Sequence, residues 1–203
     1  RSTSTTATTS ACTSASCART WVSWAYPRRT WAYPVSTGAM MRFLSEKAHA
    51  FRSRGLDFEE MVRELQSFRR HANLIFALAS MNNLAKNGRV PMAVAKAVGF
   101  LNIRIVAIGD EKGTIKPVDK CRGEGKLPAI LLREMEERHY AGGHVHIDHC
   151  LNLPLAERIR QTILTTYPDA DVTIGECRGL CSYYAERGGV IIGYTDYGAG
   201  DAE

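Results

Sequence analysis

The sequence predicts an α/β protein, in the broad sense that includes α+β, with a mixed sheet and helices. Two observations predict this class. Segments with helical spacing of apolar residues alternate along the chain with short strand-like segments, and two of the strands are separated by a turn typical of an antiparallel hairpin. The chain has 203 residues, of which 45% are hydrophobic and 23% charged. This composition is ordinary for a globular protein, and no apolar run approaches the length of a membrane span.

Residues 1–36 differ from the rest of the chain. They are rich in Ser and Thr, contain no acidic residue, hold all three tryptophans and repeat Trp-Ala-Tyr-Pro at 24–27 and 31–34. Such a segment lacks the aliphatic residues needed for a core. We therefore predict an atypical head that is either disordered or non-native, and the folded protein is expected to begin near residue 37.

The net charge of +5 at first suggests a nucleic-acid partner. Four arginines and no acidic residue fall within 1–36, so the remainder of the chain is nearly neutral. The charge thus favours no nucleic-acid partner. The six cysteines are scattered and no signal peptide precedes them, which predicts a reducing cytoplasm. Cys177 and Cys181 could pair or hold a metal, but two free thiols near a turn are the simpler interpretation.

Two helices are predicted in the segment 37–72. In the first, Ser36 or Thr37 is the expected cap and Gly55 the expected end, with apolar residues along one side. Asp57 and Glu60 form a capping box that begins the second helix.

Further elements follow from residue 73 onward. We expect strands at 73–80, 103–109, 114–120, 144–150, 171–177 and 188–194, with a hairpin turn at 110–113. We expect helices at 91–102, 153–167 and from Pro128 to near Gly142, preceded by a short helical turn at 82–87.

Arg89 lies in a tight joint between two predicted helices. Asn87 and Gly88 tolerate positive φ and end the first helical turn, while Pro91 is suited to the start of the next helix. The joint presents a cation at a fixed place. Arg89 could bind a partner or anion there, or it could cap the last carbonyls of the preceding turn.

The stretch "HVHIDH" fits the H-x-H-x-D-H pattern of zinc hydrolases of the metallo-β-lactamase superfamily. In that interpretation the metal ligands are His144, His146, Asp148 and His149. Those enzymes take further histidine ligands from later in the chain, however, and His149 is the last histidine here. Val145 and Ile147 also alternate with the polar residues, as in a half-buried strand. We therefore predict no metal and keep the zinc-dependent hydrolase as an alternative.

Three stretches taken in order resemble the DegV family, the bacterial fatty-acid-binding proteins. The stretch "MNNLAKNGRV" is similar to the family's L-x-x-L-x-x-G-G-R-I joint. It is followed by "AVGFLNIRIVAIGDEKGTIKPVDKCRG", which resembles the family's helix, strand, hairpin and K-x-R-G segment. The tail from "HVHIDHC" to "GGVIIGY" and the upstream "STGAMM" are also similar. The resemblance covers about residues 36–195 and implies that 37–72 are helices remaining from an N-terminal domain, and that 73–203 form a C-terminal DegV-like α/β domain.

The resemblance implies that the protein binds a long-chain fatty acid and presents its carboxylate to an ATP-dependent fatty-acid kinase subunit. The chain itself would then be a binding protein without a cofactor, not an enzyme, and it could make peripheral contact with a membrane. By position, Arg89 and Arg122 match arginines that face the kinase. An interaction domain without a ligand remains a further alternative.

Ser182 and Tyr184 are the expected ligand-binding residues. Tyr184 takes the place of a histidine in the family's G-x-H-x-G-P-G loop, where its hydroxyl can donate to a carboxylate. Packing in the core is the equally simple role for this side chain. The Ser/Thr residues with which the family's N-terminal domain holds the carboxylate have no counterpart in residues 1–36.

Overall fold

The structure is a computed structural model that describes residues 38–109 and 115–196. Its helices are α1 (Gly38–Ser53), α2 (Phe58–His71), α3 (Asn82–Lys86), α4 (Met92–Phe100), α5 (Leu127–Glu136), α6 (Leu153–Thr166) and α7 (Gly179–Ala185). Its strands are β1 (Ala72–Leu78), β2 (Ile103–Gly109), β3 (Ile115–Arg122), β4 (Val145–His149), β5 (Val172–Glu176) and β6 (Val190–Thr195). Within the described ranges, no helix is both long and apolar enough to cross a membrane.

The six strands form one mixed sheet in the order β3-β2-β1-β6-β4-β5. Only β4 and β5 pair in parallel, and every other neighbouring pair is antiparallel. As a result β1, β3, β4 and β5 run in the same direction, and their carboxyl ends lie at the same end of the sheet. The predicted α/β class with a mixed sheet is confirmed.

The ends of the first two helices follow the predicted signals. Gly55 adopts φ +84°, and the Leu56 N–H donates to the Phe51 carbonyl at 3.2 Å, which closes α1. The Asp57–Glu60 capping box at the start of α2 is present in both directions. The expected cap at Ser36 or Thr37 and the turn at 110–113 lie outside the described residues.

Two predictions about helices were wrong. Helix α5 ends at Glu136 and not near Gly142, because His139 adopts φ +67° and the Tyr140 N–H donates back to the Met135 carbonyl at 3.1 Å. This is a left-handed helix end without glycine. Helix α7 was not predicted at all, because its seven residues are too few to show a helical period.

Alternation along the strands separates two cores. On the face that α5 and α6 cover, called here the α5–α6 face, large side chains such as Leu131, Ile159 and Ile192 are 0–1% exposed. The opposite face is covered by α1, α3, α4 and α7 and is called the α3–α4 face. Consecutive residues on β6 show the division, since Ile192 belongs to the first core and Ile191 to the second.

Candidate functional site

An apolar layer lies between the sheet and the short helices on the α3–α4 face. Its buried members come from β1, β2, β6, α3, α4, α7 and the turn before α3, and they are Phe76, Leu78, Met81, Leu84, Ala95, Val98, Ala107, Ala185 and Ile191. Partly buried groups, among them Leu74, Ile105 and Tyr184, surround this layer. The layer is thus apolar and is enclosed by helices of only five, nine and seven residues.

The turn between α3 and α4 makes these two helices a compact hairpin. Gly88 adopts φ +68°, a conformation that glycine reaches without steric cost. The Arg89 N–H donates to the Leu84 carbonyl at 2.9 Å, which ties the end of α3 to the turn. The two helices therefore form a local unit whose attachment to the sheet depends on the apolar layer and on a polar contact with α7.

That polar contact is centred on Glu186, directly after α7. The Ser80 hydroxyl donates to its Oε2 at 2.6 Å, and the Asn83 N–H at the start of α3 donates to its Oε1 at 2.7 Å. Asn83 Nδ2 also donates to the Tyr183 carbonyl at 2.8 Å, and Asn87 Nδ2 donates to the Tyr183 hydroxyl at 3.1 Å. We call these four contacts the Glu186 latch. They join α7 to the α3–α4 hairpin.

The latch holds Glu186 in a strained conformation. Its φ of 52° and ψ of 173° lie in a region that is essentially reserved for glycine. A carboxylate that caps an exposed helix start and accepts two hydrogen bonds offsets such a cost. We infer that the hydrogen bonds of the Glu186 carboxylate stabilise the fold by more than the strained backbone costs.

A second polar group reaches the same face from β4. His146 is 1% exposed; its Nδ1 lies 2.6 Å from Thr173 Oγ1, and its Nε2 lies 3.1 Å from Asp148 Oδ1. Arg42 Nη1 on α1 lies 3.4 Å from the same Nε2. A Cβ at Gly175 would stand 2.9 Å from Asp148 Oδ1, so glycine is needed there to admit this pair. The group fixes the position of α1 on the sheet.

The histidine motif does not converge on one point. His146 contacts Asp148 and Thr173, whereas His144 Nδ1 lies 2.5 Å from Asp171 Oδ2 and His149 Nδ1 accepts from the Asn152 N–H at 3.3 Å. Across residues 38–109 and 115–196, no three His, Cys, Asp or Glu side chains are placed to share a metal ion. The zinc-hydrolase alternative therefore has no support in the geometry.

The two expected ligand-binding residues lie on α7. Tyr184 is partly buried and packs against the apolar layer. Ser182 is also partly buried, and its hydroxyl donates to the Gly179 carbonyl of its own helix at 2.8 Å. Tyr184 thus packs against the layer, whereas Ser182 is placed only on the same helix.

The two expected partner-binding arginines are exposed and lie at opposite ends of α4. Arg89 precedes the first residue of α4, and Arg122 pairs with Ile103, which follows its end. A nine-residue helix spans about 14 Å. The Arg89 guanidinium forms no hydrogen bond with the residues that the structure describes, so the capping role weighed for it has no contact to support it.

Three cysteines border the apolar layer next to α7. They are Cys150, Cys177 and Cys181, and all three are partly buried. Burial, reinforced by the nearby Asp148 carboxylate, raises the pKa of Cys177 to about 12. A thiol with such a pKa is protonated at neutral pH, so Cys177 lines the site as a small apolar group.

Sequence reasoning missed Glu186. Its partners Ser80 and Asn83 are more than 100 residues away in the chain, so no local pattern connects them. The motif search did find His146 and Asp148, although it assigned no role to their mutual contact. The one local signal for the latch is the position of Glu186 shortly before Gly188 and Gly189, since a pair of glycines is typical of the end of a helix.

The fold and the site together define an α/β protein whose mixed sheet supports an apolar layer beneath a short helical hairpin. A family model described as "Uncharacterised protein, DegV family" matches residues 35–195. The chain belongs to the DegV family.

Relatives and solved structures agree with this assignment. A DegV domain-containing protein of Streptococcus pyogenes is 40% identical over 160 residues, which are 79% of this chain and 57% of the relative. The fatty acid kinase B3 protein of Streptococcus pneumoniae, solved loaded with linoleic acid, is similar with a TM-score of 0.77 and 36% identity over 80% of this chain and 58% of that one.

A DegV family protein from Eubacterium eligens, solved with heptadecanoic acid, is similar with a TM-score of 0.76 and 36% identity. That match covers 80% of this chain and 59% of the Eubacterium protein. The chain therefore spans slightly more than half the length of these proteins. The family model, over residues 35–195, includes the sheet and the whole apolar layer.

Proposed function

We propose that this chain is the acyl-binding part of a fatty-acid-binding protein, and that a long-chain fatty acid lies in the apolar layer on the α3–α4 face. The observation that carries the proposal is this layer, beneath a short hairpin, in a chain similar at 36% identity to proteins solved with linoleic and heptadecanoic acid. Each buried methylene is worth about 0.8 kcal/mol. An apolar space therefore supplies most of the affinity without a catalytic group.

Of the two faces of the sheet, the α3–α4 face is better suited to hold a fatty acid. The core on the α5–α6 face is closed by helices of 10 and 14 residues and holds most of the largest fully buried side chains. Opening it would expose most of the core. The α3–α4 hairpin is short and is held by the Glu186 latch, so it can separate from the sheet at a smaller cost.

The headgroup is proposed to lie beside α7. Tyr184 packs at the border of the layer, and its hydroxyl is suited to donate to a carboxylate, with Ser182 as the second candidate. In the proposal the chain holds the carboxylate and a separate ATP-dependent kinase subunit phosphorylates it, so no catalytic residue or cofactor is assigned here.

Arg89 and Arg122 are proposed to contact the kinase subunit. Both are exposed cations on fixed backbone positions, and the Streptococcus pneumoniae relative is named as a fatty acid kinase protein. Reversing one charge, as in Arg89→Glu, is expected to weaken association with that subunit about tenfold or more while leaving fatty-acid binding unchanged. Arg63→Glu, on the exposed side of α2, is the matched control.

The outer surface of α4 supports a peripheral contact with a membrane. Phe100 is 90% exposed, and Met92, Val94 and Leu101 are each 44–48% exposed. Apolar residues on an exposed helix favour the interface of a bilayer. A membrane is also where a long-chain fatty acid is found, so the contact would place the acyl layer close to its ligand.

Native mass spectrometry with organic extraction tests the central proposal. We expect fatty acid to co-purify, or to bind when added, at about one molecule per chain. Ala95→Phe, which fills the layer from α4, should abolish this binding, and Ala93→Phe on the exposed side of the same helix should not. A folded protein that takes up no fatty acid would contradict the proposal and favour an interaction domain without a ligand.

A further inference from the structure

The turn between α3 and α4 holds the one Asn-Gly pair of the 203-residue sequence, Asn87-Gly88. Asparagine is a chemically labile residue. The backbone nitrogen of the next residue can attack its side-chain amide, and the attack is fastest from glycine, which has no side chain to hinder it. The other five asparagines precede Leu, Asn or Ile. Asn87 is therefore the most reactive asparagine that the sequence offers.

The surroundings of this pair leave room for the reaction. Asn87 and Gly88 are both exposed. Apart from the chain neighbours of Gly88, no heavy atom of the described residues lies within 4 Å of the place that a Cβ on this glycine would take. The Gly88 nitrogen and the Asn87 side chain can therefore approach each other, and water can reach them, without displacing another part of the protein.

The closed turn nevertheless protects the pair. Asn87 has φ −95° and ψ 13°, and the Gly88 N–H donates to the Ala85 carbonyl at 3.0 Å. Attack requires the loss of this proton and a rotation about the Asn87 ψ angle, and both break that hydrogen bond. The Asn87 Nδ2 is also held, since it donates to the Asn83 carbonyl at 2.8 Å and to the Tyr183 hydroxyl at 3.1 Å. The reaction thus starts from a locally opened turn.

We propose that Asn87 is a site of spontaneous deamidation, and that its conversion loosens the α3–α4 hairpin. The Gly88 nitrogen loses its proton and bonds to the Asn87 Cγ, and the Cγ–Nδ2 bond breaks to release ammonia. Water then adds to either carbonyl of the succinimide ring and a ring C–N bond breaks, which leaves aspartate or isoaspartate. Asparagine and water thus give the acid and ammonia, without an oxidant or a reductant.

Either product weakens the turn. Aspartate has no side-chain N–H, so an oxygen faces the Asn83 carbonyl where a hydrogen bond was, although the Tyr183 hydroxyl can rotate to donate to the new carboxylate. Isoaspartate also adds a methylene to the backbone, which displaces the Arg89 N–H from the Leu84 carbonyl that now accepts from it at 2.9 Å. Isoaspartate should therefore loosen the hairpin more than aspartate. The inference does not depend on a bound fatty acid.

Ageing of the purified chain in mildly alkaline buffer tests the site. Peptide mass spectrometry with fragmentation across residue 87 measures the conversion. We expect aspartate and isoaspartate to form several-fold faster at Asn87 than at Asn82 and Asn102, which are exposed asparagines followed by Asn and Ile. Equal rates at the three positions would overturn the assignment.

Asn87→Asp reproduces the aspartate product and tests its effect on the hairpin. Amides of α3 and its turn should exchange with solvent about fivefold faster than in the unmodified chain, the change expected for one lost hydrogen bond. Amides of α5 and α6 should keep their protection. Asn102→Asp makes the same change of amide to acid outside the latch and should leave α3 unchanged. Equal acceleration of α3 in both variants would contradict the proposed effect.

Glu186→Ala tests whether the latch protects Asn87. The substitution removes the acceptor of the Ser80 and Asn83 hydrogen bonds, so the turn should open more often and Asn87 should deamidate several-fold faster. Glu64→Ala removes an exposed carboxylate on α2 and should leave the rate as it is. The protective role of the latch is wrong if the rate stays constant in Glu186→Ala or rises equally in both variants.

Discussion

The two faces of the sheet are built on the same six strands but differ in how tightly helices cover them. The α5–α6 face is filled by long side chains on two well-formed helices, and most of its core is inaccessible to solvent. The α3–α4 face is covered by α1 and by the three short helices α3, α4 and α7, includes two polar groups and leaves apolar residues of α4 in solvent. We infer from this difference that the α5–α6 face provides most of the stability, and that the α3–α4 face can open at a smaller cost in free energy.

Cys177 offers the most sensitive test of how often the α3–α4 face opens. With a pKa of about 12, its thiolate at pH 8 is about a thousandfold rarer than that of a thiol at the ordinary value of 9.0. Alkylation by iodoacetamide at pH 8, followed by peptide mass spectrometry, should therefore be slowest at Cys177. A rate equal to that of a free cysteine would show that the face is open most of the time.

Adjacent residues on β6 allow a matched comparison of the two faces. Ile192→Ala removes a fully buried side chain from the α5–α6 core and should lower the free energy of unfolding by about 4 kcal/mol. Ile191→Ala, on the other face, should cost about 2 kcal/mol because its surroundings can relax further. Urea denaturation measures both values.

For fatty-acid binding the larger effect is expected from Ile191→Ala, the substitution that costs less stability. Ile191→Ala changes the acyl layer directly and should reduce the amount of bound fatty acid, while Ile192→Ala should leave it unchanged in the folded fraction. Equal effects of the two substitutions on binding would mean that the ligand is not confined to the α3–α4 face.

The sequence predicted the sheet and most of the helices, but not the contacts that join elements on the α3–α4 face. Amphipathic helices, a capping box at Asp57 and alternating strands are local patterns, and they identified the sheet and most of the helices. The Glu186 latch and the His146–Asp148 contact depend on residues brought together by the fold. Helix α7 escaped detection because seven residues carry almost no periodic signal.

The latch itself is expected to account for about 2 kcal/mol. Glu186→Ala removes a carboxylate that accepts from Ser80 and Asn83 and should lower the unfolding free energy by roughly that amount. Glu186→Gly loses the same contacts but relieves the positive φ, so it should cost about 1 kcal/mol less. Denaturation of the three proteins gives this order.

Hydrogen exchange locates the effect of these substitutions. Amides of α3 and α4 should exchange faster in Glu186→Ala, while those of α5 and α6 keep their protection, because only the hairpin loses its attachment. Faster exchange throughout the protein would instead mean that the latch stabilises the whole fold and does not control one face.

The smallest effect on stability is expected at Phe100. Its side chain is 90% exposed, so Phe100→Ser should change the unfolding free energy by less than about 0.5 kcal/mol. The same substitution should reduce sedimentation of the protein with phospholipid vesicles several-fold, since the ring would otherwise insert at the bilayer interface. Leu151→Ser, at a residue 73% exposed outside α4, controls for the general loss of an apolar side chain. If both variants lose vesicle binding equally, contact with the membrane does not depend on α4, and the exposed residues of that helix would be left as a surface for a protein partner.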